Sequence, residues 1–198
     1  QMCIRDRTLL QAGDANALAE RWEALPKALR TYPAVVGAYA QRAAVLHWDD
    51  AAVHSLEQAL DTQWDESLVR LYGVLPLEKY DSRRASAQRW LTQHPDSPGL
   101  LLTLARLSRH QQQWSQAEEF LHRALANGAG ADAWEELGHG FAAAGDLLSA
   151  QHCYANALLA ARGEPVLEIM PQQSIRGPIV VAHETPPSGP ITPDDRLV

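Results

Sequence analysis

The sequence predicts an all-α solenoid of stacked helix–turn–helix pairs, and three observations predict it. The stretch Ala131 to Arg162 reads W-x2-L-G-x2-F (Trp134, Leu137, Gly138, Phe141) and then A-x3-Y-x2-A (Ala150, Tyr154, Ala157). The same spacing stands 33 residues upstream. There Leu101, Leu104 and Ala105 replace Trp134, Leu137 and Gly138, while Ala117, Leu121 and Ala124 replace Ala150, Tyr154 and Ala157. Ser108, opposite Phe141, is the exception. The second half of the pattern recurs again as Ala52, Leu56 and Ala59.

Two helices can approach closely only where small residues face each other, and the large residues of the pattern fill the space toward the next pair. This is the tetratricopeptide (TPR) signature, a repeat of about 34 residues. One such repeat cannot bury its own apolar face, so aligned sets of residues imply a stack.

In chain order, Asp14 to Leu25 reads as a helix capped by Asp14, with Leu18, Trp22 and Leu25 on one stripe and Pro26 ending it. It resembles the second helix of a repeat whose first helix is mostly missing. Pro33 opens a helix over Ala34 to His47 with Val36, Tyr39, Ala40 and Ala43 inward. Asp49 and Asp50 are expected to cap a helix running to about Leu60. Asp65 to Gly73 is short, and Val74 to Tyr80, with Pro76, is too irregular for a regular partner. Ser82 to His94 is a helix with Ala87, Trp90 and Leu91 inward, so this pair is a degenerate repeat. Pro95 to Pro98 is a hard turn. In the next pair, Ser115 and Glu118 predict a capping box. Gly145 and Asp146 mark the last turn, and Gly163 is a natural stop.

Three segments follow: an irregular end over 1–13, a TPR-like solenoid over 14–162, and a Pro-rich tail over 163–198 that holds seven of the 12 prolines. Such a tail buries too little surface to offset its ordering entropy and is expected to be disordered. Its apolar run, Ile179 to Ala182, reads either as sticky disorder or as a peptide that adds to a partner or to the groove.

Hydrophobic residues make up 46% of the 198, enough for a core, and the net charge of −7 argues against nucleic acid as a main partner. Two cysteines, Cys3 and Cys153, give neither a disulfide framework nor zinc spacing, and Cys153 is expected to be a buried small hydrophobe. No apolar window of about 18 residues exists, so no membrane span is expected here. No signal peptide is visible. The chain begins at Gln1 without a start methionine and reads as a soluble fragment of a longer protein.

The eight histidines (His47, His54, His94, His110, His122, His139, His152, His183) show no H-E-x-x-H or C-x-x-C-H spacing, so no metal and no cofactor is expected. The pairs Glu118–Glu119 and Glu135–Glu136 are adjacent, and adjacent helix positions do not face each other, so they read as surface charge. There is no nucleophile elbow, P-loop or dinucleotide fingerprint, and no catalytic residue is assigned. A binding surface is the better reading. The first helix of each pair lines the concave side of such a stack. Arg106, Arg109, Glu135 and His139 point away from the packed stripe there and are the candidate partner-binding residues.

Trp64 to Gly73 (WDESLVRLYG), Ala87 to Leu107 (AQRWLTQHPDSPGLLLTLARL) and Gln112 to Leu125 (QQWSQAEEFLHRAL) resemble the C-terminal domain of HemY. That family is the TPR-containing inner-membrane proteins of proteobacteria encoded with haem-biosynthesis genes, not the flavin oxidase sharing the name. The resemblance runs from Asp14 to Arg162. It implies membrane helices upstream, an inner-membrane parent, and a scaffold role in protoporphyrin and haem formation through binding pathway enzymes. It supplies no catalytic residue. A generic TPR adaptor in envelope or complex assembly is the first alternative, and a porphyrin or haem carrier using a groove histidine such as His139 is the second.

Overall fold

The computed structural model describes residues 13–167, and within them there are helices and no strands. The helices are α1 (Ala15–Glu23), α2 (Pro33–Val45), α3 (Asp49–Thr62), α4 (Glu66–Val74), α5 (Tyr80–Leu91), α6 (Pro98–His110), α7 (Trp114–Ala126), α8 (Ala131–Ala143) and α9 (Leu147–Ala161), with a 3-10 turn over Lys27–Leu29. The expected irregular end falls outside the described residues except for Gly13. The expected tail, with Ile179 to Ala182, falls outside them beyond Leu167.

The first helices of the pairs follow one another side by side, α2 on α4, α4 on α6 and α6 on α8. Each second helix packs on its neighbours in chain order: α3 on α2 and α4, α5 on α6, α7 on α6 and α8, and α9 on α8. The chain is therefore an all-α helical-repeat solenoid with an inner row of first helices and an outer row of second helices. The core is continuous through both rows, from Leu18 through Leu56, Tyr72 and Leu104 to Leu137 and Cys153. Burial pushes the Cys153 thiol up to about 11.

Local chemistry sets the ends. Asp14 accepts from the Ala17 N–H at 2.8 Å, Asp65 from Ser67 and Leu68 at 2.9 Å each, and Asp146 from Ser149 at 3.1 Å. Asp49 and Asp50 do not cap α3. Trp48 occupies the cap position, and the two carboxylates lie in the first turn, favoured by the positive end of the helix. The Ser115–Glu118 capping box does not form either, because α7 begins at Trp114, with Gln113 at the cap two residues before Ser115 and no side-chain bond there. Gln112, at φ 60°, turns the chain back, and the Gln113 N–H bonds to the Ser108 carbonyl at 2.9 Å.

Small residues carry the closest contacts. A Cβ added to Gly138 would lie 2.5 Å from the Tyr154 ring, one on Gly140 would lie 1.8 Å from the Trp114 ring, and one on Gly73 would lie 2.5 Å from Thr103 Oγ1. Trp134, expected to be buried, is only partly so, because it packs at the margin of the core.

The degenerate pair has a different interior. Small residues do not seat α5 on α4. Instead Tyr72 of α4 meets Trp90 of α5 edge-on at 5.3 Å, and Arg83 fills the remaining gap with 1% exposure. The Arg83 guanidinium donates to the Leu77 carbonyl at 2.6 Å and to the Tyr72 carbonyl, and lies 5.0 Å from the Tyr72 ring. Tyr72 donates its hydroxyl to Glu57 Oε1 at 2.6 Å; burial first, and then that bond, hold the phenol above its ordinary range. Arg83 satisfies carbonyls that the irregular loop 75–79 leaves without helical partners.

At the far end, the chain doubles back onto α9. The buried Asn156 donates to the Leu167 carbonyl and accepts from the Leu167 N–H, both at 2.8 Å.

Two stability outcomes are expected. Arg83→Met keeps volume but leaves two buried carbonyls without their donor, and should cost about 2–4 kcal/mol in urea unfolding; a loss under about 1 kcal/mol would show that Arg83 is not a strut. Gly140→Ala should cost about 1–3 kcal/mol by overpacking against Trp114, with a changed near-ultraviolet tryptophan signal. An unaltered melting curve and spectrum would contradict that contact.

Candidate functional site

The inner row of helices encloses a groove of about 510 Å³. It is lined by Pro33, Ala34, Gly37 and Ala38 of α2 and by Leu71 and Val74 of α4, with Arg70, Arg106 of α6 and Asp132 of α8 on its charged side. All four first helices therefore contribute. Its floor is shallow in side-chain bulk, because Gly37 and two alanines sit where larger residues would fill it. Val74 stands in it 58% exposed.

The charged side follows from close packing of α4 on α6. A Cβ on Gly99 would touch Arg70 Cγ at 3.0 Å, so the absence of one lets Arg70 cross α6. Its guanidinium reaches Asp132 on α8 at 3.7 Å. That pair is half-exposed and screened. Deeper in, Glu136 takes Arg106 Nε on one oxygen at 2.7 Å and Arg109 Nη2 on the other at 3.0 Å. The side chains of Arg106 and Glu136 are only 12% and 11% exposed. Arg106 Nη1 is buried without an acceptor.

The structure therefore places the four candidate residues differently from one another. Arg106 and Arg109 come together, but on Glu136. That residue is not surface charge, as its adjacency to Glu135 suggests, but is 8% exposed and turned inward. Consecutive helix positions lie roughly 100° apart, so Glu135 can face water while Glu136 faces α6. Glu135 pairs with His139 at 3.6 Å, and Tyr154 Oη lies 3.0 Å from His139 Nδ1. Both His139 nitrogens thus have neighbours on α8 and α9. Only Arg106 of the four lines the groove. Sequence reasoning missed Arg70, Val74 and Asp132. Arg70 and Asp132 carry no motif, but each falls on the polar flank of a first helix, which is the available signal.

His110 stacks on Tyr80 at 4.7 Å. Burial first, and then the Arg109 charge, pull its imidazole below the ordinary range, with Arg83 adding and Glu136 opposing. Among the described residues, no group of three or more His, Cys, Asp or Glu is placed to hold a metal, and no helix is long and apolar enough to cross a membrane.

Two of the segments quoted above, Trp64 to Gly73 and Ala87 to Leu107, meet at the start of α6. Trp64 stacks on His94 at 3.9 Å and meets Trp90 edge-on at 6.0 Å. Glu66 accepts from Trp64 Nε1 at 3.0 Å, from Ser97 Oγ at 2.6 Å and from the Gly99 N–H at 3.0 Å. These contacts seat α4 against the start of α6, so these residues have a packing role.

No family model matches the chain, and no curated protein matches it in sequence. Among solved structures, "Crystal structure of MamA", a TPR-like helical-repeat protein, superposes at TM-score 0.52 with 14% identity, covering 81% of this chain and 95% of that one. "MamA MSR-1 C2" superposes at TM-score 0.49 with 12% identity, covering 82% and 95%. At this identity the first likeness is one of fold alone, that of a TPR-like helical repeat.

Glu136→Gln should lower stability by about 2–3 kcal/mol, because two arginines lose their shared charge in a largely buried setting. Asp132→Asn should change it by under about 1 kcal/mol, as for exposed pairs. Urea denaturation of both variants checks the contrast, and equal losses would contradict it.

Proposed function

We propose that this chain is a protein-interaction scaffold that binds its partner in the groove of the inner helices, and that it performs no catalysis. The observation that carries this reading is that one groove is lined by all four first helices, with a bare apolar half beside a charged half. Such a surface, shallow and continuous over several repeats, suits an elongated protein segment. The resemblance to HemY supplies the finer proposal: the partners are enzymes of protoporphyrin and haem formation, and the parent protein is held at the bacterial inner membrane by segments outside this sequence. Haem carriage through His139 gains no support from its geometry, since Glu135 and Tyr154 flank both ring nitrogens.

Val74→Asp tests the groove without touching the core, because Val74 is mostly exposed. We expect an unchanged circular dichroism spectrum and melting temperature, with capture of haem-pathway enzymes reduced by about tenfold, since a charge in an apolar contact is left desolvated. Capture of a partner outside that pathway, lost in the same variant, would keep the scaffold and reject the haem assignment. Capture unaffected by Val74→Asp would reject the groove.

A further inference from the structure

The charges of the groove are unequal, and the surplus identifies what fits it. Two guanidinium groups, Arg70 and Arg106, line it with one carboxylate, Asp132. One positive charge is left over, in a protein whose net charge is −7. The donors are also under-used. Among the described residues Arg70 makes no hydrogen bond, the nearest Asp132 oxygen standing at 3.7 Å. An arginine carries five N–H donors and no acceptor, so such a side chain attracts a carboxylate from outside. Beside it lies the apolar half, where Gly37, Ala34 and Ala38 leave room over Leu71 and Val74.

We infer that the groove recognises a polypeptide segment carrying a large aliphatic side chain next to an acidic one. The aliphatic group enters over Gly37 and Val74. The carboxylate completes Arg70, while Arg106 remains on Glu136. This rests on the groove being the binding surface proposed above and adds the chemistry of its occupant. Lys- or Arg-rich segments are rejected by the same surplus charge, which is specificity obtained through repulsion.

The test is a fluorescence anisotropy titration of the full chain with short acetylated, amidated and dye-labelled peptides. The first contains leucines flanked by glutamates; the others replace Glu by Gln, Glu by Lys, or Leu by Ser. The Glu–Leu peptide should bind saturably. Binding should fall about tenfold for the Gln peptide and for Arg70→Gln, and should weaken as NaCl rises from about 0.05 to 0.5 M. Val74→Asp and the Ser peptide should remove it. Arg70 and Val74 are both exposed enough for their variants to fold, which circular dichroism verifies. Equal binding of the Lys and Glu peptides, or binding indifferent to both variants, would overturn the inference. So would a Glu–Leu peptide that does not bind while a protein partner is still lost with Val74→Asp; that outcome leaves the groove as the surface and rejects this occupant. A protein partner and the Glu–Leu peptide both held equally by wild type and Val74→Asp would reject the groove and the inference together.

Discussion

The approach of α4 to α6 is the contact on which the middle of the solenoid depends. Thr103 sits where Gly73 has no side chain, and its hydroxyl bonds to the Val69 carbonyl at 2.7 Å. Arg70 passes where Gly99 has none. With the backbones so close, Glu66 can reach the start of α6 and hold Ser97 and Gly99. The inner row is therefore unbroken even though the second repeat is irregular, and an unbroken row is what a groove along several helices requires.

Irregularity is confined to the outer helix of that repeat. A short α4 and the loop after it push α5 outward, and the space is taken by rings and one guanidinium instead of alanines. Buried cations are ordinarily paired with carboxylates. Arg83 is paired with backbone carbonyls, and its Nε is left without an acceptor. A fixed planar fork can serve two carbonyls at once, which a lysine could not do with the same geometry.

Most of the architecture could be read from the chain because it rests on spacing. Alanines and glycines at repeat intervals give the helix pairs, and Asp14 and Asp146 give the caps of two helices. What the spacing cannot give is the distance between elements. Ser115 and Glu118 satisfy a local pattern, yet the turn through Gln112 starts α7 two residues earlier. Arg83 looks like surface charge on a polar helix until the missing alanines of its neighbour are considered. Glu136 differs from Glu135 only in facing α6, and it was α6, with two arginines on that side, that selected it. Trp134 obeys the repeat consensus but packs less deeply than the consensus implies. The groove was legible as a location, through the rule that first helices line it, but not in its composition. Arg70 and Val74 share α4 and meet Asp132, two repeats further on, only in three dimensions.

The closing of the array at α9 has a different consequence. Asn156 grips the main chain at Leu167, through one N–H and one carbonyl that every residue other than proline possesses. The side chain at that position, more than half exposed, is free of the interaction. Drift in the residues after Gly163 is therefore neutral with respect to this contact, while Asn156 itself is not free to drift. A repeat array that ends in this way can gain or exchange the sequence beyond its last helix without redesigning the helix, which makes this boundary a natural place for modules to be joined, in evolution or at the bench.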